Sequence, residues 1–129
     1  MKANEKSSLV RKEKTNYHHG ELRQQLMDLA LQHIASAGTE KLSLRALARE
    51  ANVSATAPFR HFSNKQALFA ALAVDGFEQL GERVQKAGDS ADPIEQRLLS
   101  VAMAYLDFSN ENPVTYQLMF GSILGDFAA

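Results

Sequence analysis

The apolar spacing between residues 43 and 65 constrains the fold of this chain more than any other feature of its sequence. Four apolar residues recur at positions i, i+3, i+4 and i+7 and so share one face of a helix: Leu44, Leu47, Ala48 and Ala51. Asn52 follows them, and asparagine readily adopts the left-handed conformation in which many helices end. The pattern predicts a short helix, a tight turn and a second short segment, which is a helix-turn-helix.

Serine residues stand where both helices of this motif would begin. Ser43 precedes the first apolar residue and Ser54 follows the turn, and a serine hydroxyl can accept a hydrogen bond from a free backbone N–H at a helix start. Pro58 is tolerated only in the first turn of a helix, because proline has no backbone N–H. We therefore expect the second helix to begin between Ala55 and Ala57.

The rest of the chain has helical periodicity and no sustained strand-like alternation. One long apolar face begins near Gly20 and stops at Gly38, a residue that commonly ends helices. Gly76 and Gly81 interrupt a later helix, where they weaken it or permit close packing. Three further start signals combine a capping residue with a following proline, glutamine or glutamate, at Ser63, Asp92 and Asn112. The predicted fold class is all-α.

Charge is divided unevenly along the chain. Residues 1–65 carry 11 Lys and Arg against 6 Asp and Glu, a net charge of +5, whereas residues 66–129 carry 3 against 9, a net charge of −6. Contacts with phosphates supply most of the sequence-independent attraction of proteins to DNA, so the basic part favours a nucleic-acid partner. Basic N-terminal stretches are also common in other soluble proteins, and charge alone leaves both interpretations open.

Several classes of protein find no support in the sequence. The 129 residues contain no cysteine, no secretory signal and no run of the ~20 apolar residues that a membrane span needs. The sequence has no glycine-rich phosphate loop, nucleophile elbow or metalloprotease histidine pair, and its 4 histidines lack cysteine partners. We expect a cytoplasmic protein that is not an enzyme and has no cofactor, no bound metal and no membrane partner.

Two segments resemble one known family. The stretches YHHGELRQQLMDLALQHIASAG and LSLRALAREANVSATAPFRHFSNKQALFAAL are similar to the DNA-binding domain of the tetracycline-repressor (TetR) family of transcriptional regulators. A looser similarity, from Asp92 to Gly121, is to the start of the C-terminal body of one subtype. The resemblance implies an all-α fold in which a three-helix DNA-binding head with a helix-turn-helix is followed by the start of a helical ligand-binding and dimerisation body.

The resemblance also implies a division of the chain. Residues 17–64 are expected to be the helix-turn-helix DNA-binding domain and residues 65–129 a helical regulatory and dimerisation domain. Family members are usually longer, so this last domain looks incomplete. Residues 1–16 lack apolar periodicity and are expected to be a flexible basic arm.

Nine residues match positions that contact DNA in the family. Those expected near the phosphate backbone are Ser43, Phe59, His61 and Lys65. Arg45 is expected to reach a phosphate or a base edge. The residues expected to line the exposed side of the second helix are Ala55, Thr56, Ala57 and Arg60.

Three residues depart from the family pattern and keep alternatives open. Asn52 stands where the family often has Gly, Pro58 where it often has Leu or Ile, and Phe59 where it often has Tyr. Phe59 therefore lacks a hydroxyl that could reach a phosphate, and it is a candidate for ring packing instead. Ser43 could be a helix cap alone, and His61 could be a packed surface residue.

The resemblance implies a ligand-responsive repressor that binds double-stranded DNA as a homodimer on a palindromic operator and answers to a small-molecule effector. The alternative is a helical ligand-binding or protein-interaction module with a vestigial DNA-binding head. Pro58, Phe59 and the apolar C-terminal segment favour this alternative.

Overall fold

The computed structural model describes the backbone of residues 2–128 and the side chains of residues 20–121. Its elements are α1 (Lys2–Ala37), α2 (Leu44–Glu50), a 3-10 helix (Ala57–Arg60), α3 (Lys65–Gly88), α4 (Ile94–Glu111) and α5 (Pro113–Ala128). The described backbone contains no strand, and the predicted all-α class is confirmed. Within the described residues, no helix is both long and apolar enough to cross a membrane.

The chain divides into two compact units, Met1–Lys65 and Gln66–Ala129. In the first unit, α2 packs against α1 and against the 3-10 helix. Among the side chains that the structure describes in this unit, those buried are Leu26, Met27, Ala30, Leu42, Leu44, Leu47, Ala48, Pro58 and Phe62. The predicted inner face of α2 is confirmed at three of its four positions, and the fourth, Ala51, is half-buried.

Helix α1 begins much earlier than the apolar pattern predicts. We expected a helix from about Gly20, whereas helical backbone runs from Lys2. The intervening residues include no Gly or Pro and are rich in Lys, Glu and Arg, which have good helix propensity without needing an apolar face. The side chains of the basic arm predicted over residues 1–16 lie outside the described residues, and the flexibility of this arm stays a prediction.

The second unit contains a buried cluster of Leu80, Phe108 and Met119. Arg83 lies over the ring of Phe108, with its guanidinium carbon 5.5 Å from the ring centroid, and it forms a 2.7 Å ion pair with Glu111. The aliphatic part of an arginine covers apolar surface while its charged end stays near water. Arg83 therefore connects the cluster to the end of α4.

A tyrosine pair joins α4 to α5 in the same unit. The hydroxyl oxygens of Tyr105 and Tyr116 lie 3.1 Å apart, and their rings meet edge to face with centroids 6.0 Å apart. The hydrogen bond shared by the two hydroxyls, followed by desolvation, raises the pKa of Tyr105 above its usual value. The bond therefore favours the neutral phenol.

The start of α4 differs from the prediction, in which Asp92 caps the helix and Pro93 is its first residue. Pro93 is itself the N-cap, with φ −55° and ψ 152°, and no side chain caps this end. The fixed φ of proline is compatible with this extended position, and its carbonyl accepts the first helical bond, from Arg97 N at 3.0 Å. The start of α5 at Pro113 agrees with the predicted signal.

Gly76 permits a close approach between α3 and α5. A Cβ atom at this position would lie 2.6 Å from Met119 Sδ and 2.6 Å from Thr115 Cγ2, and both of these residues are buried. Gly81, five residues further along α3, has no such neighbour within 4 Å. The close packing that the sequence suggested for this pair of glycines is thus present at Gly76 alone.

The two glycines are predicted to respond to the same substitution with opposite signs. Gly76→Ala should lower the free energy of unfolding by about 1 kcal/mol, because overpacking costs roughly 1–3 kcal/mol and exceeds the helix propensity gained, about 1 kcal/mol. Gly81→Ala should raise it by up to about 1 kcal/mol. Urea denaturation measures both variants. If Gly76→Ala stabilises the protein as much as Gly81→Ala does, this helix crossing is wrong.

Candidate nucleic-acid interface

The turn after α2 is held by one left-handed residue and two backbone hydrogen bonds. Asn52 has φ 58°, as predicted. Its N–H donates to Arg49 O at 3.1 Å, and Val53 N–H donates to Ala48 O at 3.0 Å. These bonds satisfy carbonyl groups that the end of a helix would otherwise leave unpaired. The turn that separates the two helices of the motif is therefore closed by its own backbone.

Ser43 caps the start of α2. Its Oγ accepts a hydrogen bond from Ala46 N at 3.0 Å, and its own backbone is extended, with φ −135° and ψ 146°. This is the geometry of an N-cap, and the predicted cap is confirmed. The residue is also exposed, so its predicted place near a DNA phosphate stays open to test.

The second helix of the motif is a single 3-10 turn. It begins at Ala57, within the predicted range, and His61 N–H closes it by donating to Pro58 O at 3.0 Å. The prediction that Ser54 caps this helix is wrong. Thr56 occupies the N-cap position and makes no side-chain cap bond. The backbone carbonyl of Ser54 accepts Ala57 N–H at 3.1 Å, which is the N–H that the Ser54 hydroxyl would otherwise bind.

Pro58 and Phe62 hold this turn in the core of the first unit. Both side chains are buried, and Phe62 N–H donates to Pro58 O at 3.0 Å. Arg23 of α1 covers the Phe62 ring, with its guanidinium carbon 5.3 Å from the centroid. Phe62 is thus a core residue of the first unit. The burial of Pro58 was not predicted, because only its missing backbone N–H was considered. Its position four residues before Phe62 was the available signal, since that spacing puts both residues on one side of a helical turn.

The nine predicted DNA-contacting residues surround this anchored turn in the first unit. The exposed ones are Ser43, Arg45, Ala55, Thr56, Phe59 and Arg60. The half-buried ones are Ala57, His61 and Lys65. The His61 ring lies 6.3 Å from that of Phe62, centroid to centroid, and is tilted by 53°. The Phe59 side chain is not part of the core, because 46% of its surface is exposed.

Lys65 is positioned by the loop between α1 and α2. Its Nζ donates a hydrogen bond to the carbonyl oxygen of Glu40 at 3.0 Å. Glu40 lies three residues before the capping Ser43. The bond therefore places a positive charge beside the loop that leads into α2.

Sequence reasoning missed a side-chain hydrogen bond between α1 and α2. His33 Nε2 lies 2.6 Å from Glu50 Oε1 and joins α1 to the last residue of α2. The two residues are 17 positions apart, and no local spacing rule indicates a contact at that separation.

Exposed basic side chains dominate the charge around the motif. Four of them have no ion pair with any other residue in the described part of the chain: Lys41, Arg45, Arg49 and Arg60. Across residues 20–121, no group of three His, Asp or Glu side chains could hold a metal ion. The surface suits an anionic partner, because unpaired basic groups attract phosphates.

The chain is similar in sequence to bacterial transcriptional regulators. Residues 26–72 match the model of a family described as bacterial regulatory proteins, tetR family. The chain is 36% identical over 97 residues to YobS of Bacillus subtilis (strain 168), an uncharacterised HTH-type transcriptional regulator, and covers 48% of its length. It is 36% identical over 72 residues to HdnoR of Paenarthrobacter nicotinovorans, an HTH-type nicotine-responsive transcriptional repressor, and covers 37% of its length.

A solved structure shares the fold as well as the sequence. The structure is that of a protein of unknown function from Rhodococcus sp. RHA1, with a TM-score of 0.70 and 40% sequence identity. The match covers 81% of this chain and 55% of that one. The matched parts of YobS and HdnoR are 71% and 56% of this chain. The chain thus spans about half the length, or less, of these three proteins.

The two serines of the motif are predicted to differ in their effect on stability. Ser43→Ala removes a cap bond and should lower the free energy of unfolding by about 1 kcal/mol. Ser54→Ala removes no cap bond, since the Oγ of Ser54 has only a long 3.4 Å contact with Thr56 Oγ1, and should cost less than about half as much. Thermal unfolding followed by circular dichroism compares them. Equal losses would contradict the assigned caps.

Proposed function

Because the chain belongs to the tetR family of bacterial regulatory proteins, through residues 26–72, we propose that it is a sequence-specific DNA-binding transcriptional regulator. We propose more specifically that it is a ligand-responsive repressor that acts as a homodimer on a palindromic operator in the cytoplasm. Residues 17–64 would form the DNA-binding domain and residues 65–129 part of the regulatory domain. No catalytic role is proposed for either part.

The observation that carries this proposal is the exposed basic surface on the anchored turn. Arg45 lies on the outer side of α2, and Arg60 lies at the end of the 3-10 helix. Both arginine side chains are exposed. The buried side chains of Pro58 and Phe62 hold the backbone of the 3-10 helix against the core. A backbone that is already fixed before binding loses little conformational freedom on docking, which favours a defined docking position.

The predicted contacts are of two kinds, with phosphates and with base edges. Ser43, His61 and Lys65 would contact phosphates and set the position of the motif on the duplex. The exposed side of the 3-10 helix would face base edges in the major groove, with Ala55, Thr56, Ala57 and Arg60 closest to them. Arg45 would serve either role. Phe59 is considered separately below.

The second unit supports a regulatory and dimerisation role through an apolar face on α4. Four large side chains on this face are 48–64% exposed: Leu98, Leu99, Met103 and Leu106. Exposed apolar groups gathered on one helix commonly mark a contact surface. The name of HdnoR, a nicotine-responsive repressor, supports a small-molecule effector. Such an effector controls DNA binding if it binds one arrangement of the protein more tightly than another.

DNA binding is predicted to depend on salt and on the basic side chains of the motif. Fluorescence anisotropy with a labelled duplex, selected from a random pool, measures affinity at several salt concentrations. Arg45→Ala and Lys65→Ala should each weaken binding about tenfold or more, and each lost phosphate contact should reduce the salt slope by about 1. Lys86→Ala removes one positive charge from the second unit and should leave both quantities unchanged.

Absence of DNA binding at low salt would contradict the proposal and favour the module with a vestigial head. In that case the basic substitutions would have no affinity to reduce. If DNA binds but the salt slope is zero, the assigned phosphate contacts are wrong. Analytical ultracentrifugation of the complex tests the dimer, because two copies per palindromic duplex are expected.

A further inference from the structure

Phe59 places a large apolar ring on a surface that is otherwise polar and basic. Its side chain is 46% exposed, between the buried Pro58 and the exposed Arg60. The sequence left its role open between ring packing and a position near the DNA backbone. The structure excludes it from the core, so the ring needs another explanation.

The backbone holds this ring in a fixed direction. Phe59 N–H donates to Thr56 O at 3.2 Å, and the neighbouring Pro58 O accepts from both His61 and Phe62. With Pro58 and Phe62 buried, rotation of the turn that would bury Phe59 would expose two core side chains. The ring is therefore presented outward by the fold.

The residues before it leave space around the ring. Ala55 and Thr56 are exposed and have short side chains, and each carries a methyl group. These methyl groups and the phenyl ring are exposed apolar groups within five residues of Arg60 in sequence, and the backbone bond from Phe59 to Thr56 joins the two residues. A phenyl ring has no hydrogen-bond donor for a phosphate oxygen, and placing it there would remove water from a charged group without compensation.

On the premise of the proposed function, we infer that Phe59 contacts the 5-methyl group of a thymine in the major groove and so helps to specify that base. The thymine methyl is the apolar feature that a base pair displays in this groove, and aromatic and methyl-bearing side chains pack against it. The adjacent Arg60 lies within the same turn and can bond a neighbouring base edge or phosphate. The motif would then contact a thymine methyl through Phe59 and a neighbouring polar group of the DNA through Arg60.

The test removes the methyl groups from the DNA rather than from the protein. The duplex enriched by selection from a random pool is compared with versions in which single thymines of the half-site are replaced by deoxyuridine, which keeps base pairing and loses the methyl. At one thymine, wild-type protein should lose about fourfold in affinity, the effect of one buried methyl-sized group. Phe59→Ala should bind the two duplexes equally, and Phe59→Leu should keep part of the difference.

Phe77→Ala is the matched control, because Phe77 is also 46% exposed but lies on α3 in the second unit. This variant should keep the wild-type response to deoxyuridine. Circular dichroism melting confirms that each variant is folded, and the wild-type comparison needs no variant at all.

Three results would overturn the inference. The first is a wild-type protein that binds DNA but does not distinguish thymine from deoxyuridine at any half-site position. The second is a Phe59→Ala variant that distinguishes them as well as wild type does, since another residue would then contact the methyl. Both leave the proposed DNA-binding function standing. The third, absence of binding to any duplex, would overturn both proposals.

Discussion

The burial of Pro58 and Phe62 is the interaction on which the candidate DNA-binding surface depends. Their side chains insert into the core of the first unit, and one backbone hydrogen bond links them. Because Pro58 and Phe62 face the core, Phe59 and Arg60 between them face the solvent. A change that loosened either buried ring would disturb the surface without touching any exposed residue. The buried core residues and the exposed candidate surface thus lie within the same five residues.

Local rules were sufficient wherever a structural feature depends on neighbours in sequence. The inner face of α2, the Ser43 cap and the left-handed Asn52 all follow from spacing and residue type over a few positions, and all three are present. The all-α class follows from the same periodicity. These features are local because backbone bonds between residues three to five positions apart decide them.

The same rules failed where competing or distant groups decide the outcome. Ser54 has the residue type of a cap, but its own backbone carbonyl takes the N–H that its hydroxyl would bind. The hydrogen bond between His33 and Glu50 joins two helices, and its existence depends on how α1 crosses α2. For the predicted site, sequence supplied the candidates and the structure supplied their exposure. The decision between phosphate and base contact depends on docked DNA.

The 3-10 geometry of the second helix has a consequence for how much DNA the motif can cover. A 3-10 helix rises about 2.0 Å per residue, so the four residues Ala57–Arg60 extend over about 8 Å. Base pairs follow one another at about 3.4 Å along a strand. Laid along a major groove, this turn would span about two to three base pairs, a small part of an operator. Further specificity would have to come from side chains outside it, from the shape of the duplex, or from a second head at a fixed distance.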